Sequence, residues 1–156
     1  MAGAEARLAE LGIELPDVAP PVAAYVPAVA TGSYVYTSGQ LPFVSGALPA
    51  TGKVGDGHGL VPADDAKEYA RTCALNALAA VRAELGSLDR ITRVVKLVGF
   101  VASDPSFTGQ PGVINGASEF LGEVFGEAGR HARSAVGVAV LPLDAPVEVE
   151  LIVEFA

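Results

Sequence analysis

The end of the chain constrains the fold more tightly than any other stretch. From residue 147 to 155, Val147, Val149, Leu151, Val153 and Phe155 alternate with Glu148, Glu150, Ile152 and Glu154. A period of two places one set against a core and turns the other outward, so the segment is a half-buried strand and the chain must build a sheet. The acidic set has two readings. It is a solvated face on an edge strand that discourages edge-to-edge pairing, or Glu148 or Glu150 pairs with Arg133 on a neighbouring strand and acts as acid or base.

Upstream the period changes repeatedly. Residues 4–12 read as a short helix stopped by Pro16, and Pro16, Pro20 and Pro21 mark an extended connector. A β-hairpin follows, turning at Thr31-Gly32-Ser33 and returning through Tyr34-Val35-Tyr36-Thr37. Glycines at 46, 52, 55, 57 and 59 make residues 43–61 a long loop. Within it Thr51-Gly52-Lys53 resembles the end of a phosphate loop but lacks the upstream glycine and the following helix.

Pro62-Ala63-Asp64-Asp65 opens a helix that runs to Gly86, with Ala66, Ala70, Cys73, Ala77, Val81 and Leu85 on its apolar stripe. Residues 91–101 are an apolar central strand, and a second helix carries Val113, Ile114, Ala117, Phe120, Leu121 and Val124. Strands at about 132–141 and 147–155 complete a β-β-α-β-α-β-β order. The expected fold class is α+β: a single domain with two helices packed on one face of a mixed sheet, and the bare face covered by association with other copies. Val136, Val138 and Val140 are expected to face the core. Ala135, Gly137 and Ala139 should then line the helix-free face with Arg133 at its start.

Composition narrows the function. With 156 residues, 51% hydrophobic and 18% charged, the chain is a folded domain and not a disordered one. Mean hydropathy is +0.42, yet no apolar run approaches the ~18 residues of a spanning helix. A net charge of −8 disfavours nucleic acid and anionic membranes as partners. A lone Cys73 and the lack of a basic-then-apolar leader suit a cytoplasmic location. Cys73 on its stripe reads as a packed core thiol, and two His with one Cys make no zinc set.

Several separated motifs carry a family resemblance. Ala132-Arg133-Ser134-x-Val136, Leu141-Pro142 and Val147-Glu148-Val149-Glu150, with Tyr25, Thr37-Ser38-Gly39-Gln40-Leu41-Pro42 and Asn115 before them, resemble the Rid (reactive intermediate deaminase, YjgF-like) family. The resemblance covers residues 25–156, which sets off 1–24 as a lead segment. It implies a chorismate-mutase-like fold, a homotrimer with clefts between subunits, and hydrolysis of small 2-imino acids to 2-keto acids and ammonia without a cofactor. In that frame Arg133 clamps a substrate carboxylate and Glu148 orients water. Ala135 offers its backbone N–H, while Tyr25, Ser38, Gly39 and Asn115 line the cleft.

Three departures stand out: Ala135 in place of a common Cys, Gly137 in place of a charged residue, and His131 in place of a frequent Pro. His131 reads either as an ordinary loop residue or as a second substrate contact, and His58 as solvated. A non-catalytic module binding a small carboxylate or a protein in the same cleft is the alternative function. An RNA-cleaving translation inhibitor, a role attached to relatives, fits the charge least.

Overall fold

Five strands and two long helices form the core of the computed structural model, which describes residues 2–18 and 23–156. The elements are α1 (Ala4–Glu10), β1 (Ala28–Thr31), β2 (Tyr34–Thr37), α2 (Ala63–Leu85), β3 (Ile91–Ala102), α3 (Gln110–Phe125), β4 (Ala132–Val138) and β5 (Val147–Phe155). The expected α+β order holds, although β4 stops at Val138. Helix α1 is closed not by Pro16 but earlier, at Gly12, whose left-handed φ of 69° lets the Ile13 N–H donate back to the Leu8 carbonyl at 2.9 Å. Pro20 and Pro21 lie outside the described residues.

The sheet order is β1-β2-β5-β3-β4, with β4 parallel to β3 and the other pairs antiparallel. The alternating strand β5 is therefore central, not an edge. Val147, Val149, Leu151 and Val153 are buried against the helices, together with Val94, Leu97 and Val101 of β3. Each such side chain is worth roughly 1.5–3 kcal/mol when removed from water. Cys73 sits in this core, and burial followed by the charge of Glu148 pushes its thiol well up. It is a packing residue, as its stripe position implied.

Helix α3 lies close upon its neighbours. A Cβ on Gly99 of β3 would run into Ile114, and one on Gly116 would overlap the Lys67 carbonyl of α2. With no side chain between them, α3 packs directly on β3 and α2, which sets the face that carries Asn115 and Ser118 close over the sheet. The lead segment packs on the same core through Ala4 and Leu8, while Arg7 Nε donates to the Glu123 carbonyl of α3 at 3.0 Å. The long loop is pinned at fully buried Val54, whose N–H donates to the Ala102 carbonyl at 2.7 Å.

Strand β4 is oriented opposite to expectation. Leu97 pairs with Arg133, Gly99 with Ala135 and Val101 with Gly137, so the Arg133-Ala135-Gly137 set faces the helices. Val136 faces away and is 43% exposed. Nothing in the alternation said which set met the core, and hydrophobicity misled because β4 is an edge strand. The helix-free face is lined instead by Val29, Tyr34, Tyr36, Ile152, Phe100 and Val136, with Glu148, Glu150 and Glu154 among them. Val29, Tyr34 and Tyr36 are exposed there at 50%, 39% and 45%. The case for association stands on this apolar surface, not on the small residues of β4.

Candidate functional site

Two separate groups of residues emerge, one on each face of the sheet. The first surrounds Arg133. Its Nη1 donates to Asn115 Oδ1 at 2.8 Å and Ser118 Oγ at 3.1 Å, and its Nη2 donates to the Pro111 carbonyl at 3.1 Å. All three acceptors belong to α3. Of the five guanidinium donors, the Nε–H and one Nη2–H remain, an adjacent pair of the kind a carboxylate accepts. Among the described residues no carboxylate lies within ion-pair distance of Arg133. A half-buried cation thus stands held by neutral acceptors only, beside an open pocket of about 380 Å³ that Asn115, Ser118 and His131 also line.

Ala135 lies two residues along the same strand. The Ser103 N–H donates to the Val138 carbonyl at 3.0 Å, which turns the backbone groups of Val138 toward β3. Alternation then turns those of Val136 and Ser134 inward as well, and sends those of Arg133, Ala135 and Gly137 to the open edge. The Ala135 N–H is therefore available beside the Arg133 fork.

The second group lies on the helix-free face. Buried Thr37 accepts the Leu151 N–H on its Oγ1 at 2.9 Å, and Gln40 exchanges backbone bonds with Val149. From α2, Asn76 donates to the Leu41 and Phe43 carbonyls at 3.0 and 3.1 Å. These ties lay Ser38-Gly39 along β5. Ser38 Oγ donates to the Val26 carbonyl at 2.6 Å, which holds the exposed Tyr25 segment near.

The Glu148 carboxylate rests against Gly39 so closely that a Cβ there would overlap it. Desolvation, and secondarily the charge of Glu150, raises its pKa above the ordinary 4.5. Gly39→Ala should consequently swing Glu148 out into water. An NMR titration should show the carboxyl falling back toward its ordinary value. The denaturant midpoint at pH 7 should rise rather than fall, because the displaced atoms end a flexible chain and the ionised group regains water.

Arg133 and Glu148 are not neighbours. β3 separates their strands, Arg133 points to the α3 side and Glu148 to the other, so the intrachain pair entertained for Glu148 or Glu150 does not form. Ser118 was missed in the sequence. Its signal was the i, i+3 spacing from Asn115, which puts both polar side chains on one helical face. His131 is no free loop residue, since it bonds Ser118 Oγ through Nε2 at 2.9 Å and the Gly129 carbonyl through Nδ1 at 2.6 Å. His58 is exposed, as its loop implied.

Residues 5–155 match the family described as "YjgF/chorismate_mutase-like, putative endoribonuclease". Protein TCP17 of Trypanosoma cruzi is 49% identical over 152 residues, covering 96% of this chain and 92% of that one. The crystal structure of Atu1372 from Agrobacterium tumefaciens, a protein of unknown function, is 50% identical with a TM-score of 0.89, over 98% and 92% of the two chains. Escherichia coli TdcF, solved with bound serine, is 26% identical with a TM-score of 0.64, over 89% and 94%. Among the described residues no helix is long and apolar enough to cross a membrane.

Proposed function

The chain belongs to the YjgF/chorismate-mutase-like family, and from that premise we propose that it is an enamine and imine deaminase. Its substrates are small 2-imino acids of the 2-iminopropionate type, and its products are 2-keto acids and ammonia. The observation that carries this reading is Arg133: a guanidinium without an ionic partner among the described residues, fixed by three acceptors of α3, with two donors left over. Such a fork matches a planar carboxylate.

The active form is a homotrimer. One subunit brings Arg133, Asn115 and the Ala135 N–H, and its neighbour brings Glu148, Gly39, Ser38 and Tyr25. The opposite-face placement of the two groups, together with the apolar helix-free face, supports this arrangement. Water adds to the imine carbon as its proton passes to the Glu148 carboxylate, giving a carbinolamine. Glu148 then returns the proton to nitrogen, the C–N bond breaks as ammonia leaves, and the hydroxyl proton passes to the ionised Glu148 carboxylate as the carbonyl forms. A carboxyl raised above its ordinary pKa is better suited to these transfers. The protein needs no cofactor for this, because a protonated imine is already electrophilic. The lone buried Cys73 suits a cytoplasmic place of work.

A non-catalytic carboxylate-binding module uses the same Arg133 grip, and the serine bound to TdcF favours carboxylate binding under either reading. RNA, which draws affinity from basic residues, is disfavoured by the −8 charge. Ammonia release from 2-iminopropionate separates the two main readings. Wild type should be active, and Arg133→Lys should lose about 2–4 kcal/mol in kcat/KM, since an ammonium is a point charge without a fork. Wild type that binds pyruvate but releases no ammonia would leave the module reading standing.

A further inference from the structure

Ser118 and His131 form a chain behind Arg133 that nothing in the proposed reaction requires to touch substrate. The Gly129 carbonyl can only accept, so His131 Nδ1 carries a proton and donates to it at 2.6 Å. In the neutral ring this leaves Nε2 as an acceptor, facing Ser118 Oγ at 2.9 Å. The Ser118 hydroxyl hydrogen is then committed to His131, and an oxygen lone pair faces Arg133 Nη1 at 3.1 Å. A serine in a helix interior otherwise turns its hydroxyl toward the carbonyl one turn back. Here the imidazole claims that hydrogen.

We propose that His131 is a positioning residue: by orienting the Ser118 hydroxyl it locks the rotation of the Arg133 guanidinium, so that the Nε–H and Nη2–H pair points at the pocket. The consequence for substrate rests on the carboxylate grip proposed above, whereas the locking itself does not. Preorganising a fork improves binding by removing the ordering that a free guanidinium would undergo on contact. The geometry also separates this role from loop anchoring. The His131–Gly129 bond ties the segment after α3 to itself, while the His131–Ser118 bond alone reaches Arg133.

Two amides divide these bonds. Gln reproduces the Nε2 position and Asn the Nδ1 position. His131→Gln should behave like wild type. His131→Asn and Ser118→Ala should speed rotation of the Arg133 guanidinium, read from its side-chain ¹⁵N signals without any ligand. On 2-iminopropionate they should raise KM about tenfold, the worth of one hydrogen bond to a charged group, with kcat within about twofold. If His131→Asn matches wild type while His131→Gln is impaired, the histidine only anchors the loop. Unchanged Arg133 motion in Ser118→Ala overturns the locking outright. A wild type inactive on imines would sink the deaminase reading, and the NMR comparison would still decide the positioning role.

Discussion

Glu148→Gln should slow imine hydrolysis about a hundredfold or more while making the folded protein more stable. Removing a positioned acid–base group costs typically 10²–10⁴ in rate, and the amide fills the same space against Gly39 without taking a proton. The stability gain follows from the direction of the pKa shift. Burial, and then Glu150, hold the carboxyl above 4.5 in the folded chain, so the folded state binds that proton more tightly than the unfolded one. The benefit is fully present below the unfolded value and is lost as pH rises through the folded one. At neutral pH the ionised group is therefore a liability that the amide removes. Urea unfolding should show the variant ahead of wild type at pH 7, with the gap closing toward pH 4. A variant less stable at pH 7 would contradict the desolvation account. One that turns over at the wild-type rate would reduce Glu148 to part of a solvated face.

The elements were legible because each carried its own local period. The uninterrupted alternation of β5, the helical stripe through Cys73 and the proline at the start of α2 depend on neighbours in sequence only. What failed were judgements about which strands adjoin and which face meets a helix. Val136 and Ala135 are equally consistent with either side of β4, and only the parallel pairing of Leu97 with Arg133 decides between them. The same crossover inserts β3 between Arg133 and Glu148, which no spacing along the chain announces. Asn115 and Arg133 were identified through motif resemblance, and they do meet. Ser118 belongs to no motif and shows itself only when α3 is laid over β4.

That separation has a direct consequence for activity. Arg133 stands on the α3 side of β4 and Glu148 on the bare side of β5, with β3 between, so no single chain can bring both to one imine. Arg133→Ala and Glu148→Gln should each be nearly inactive alone, since every site in either assembly carries the same defect. Mixed in equal amounts and allowed to exchange subunits, they should recover. A site needs Arg133 from a Glu148→Gln chain and Glu148 from an Arg133→Ala chain, which random closed assembly supplies at about a quarter of the interfaces. The mixture should climb from background toward about a quarter of wild-type ammonia release, at the rate of subunit exchange. Each variant mixed with wild type controls for simple dilution. A mixture that remains at the sum of its two components, after exchange is verified by mass, would mean that Arg133 and Glu148 never face one another across an interface. The carboxylate grip would then have to find its water elsewhere.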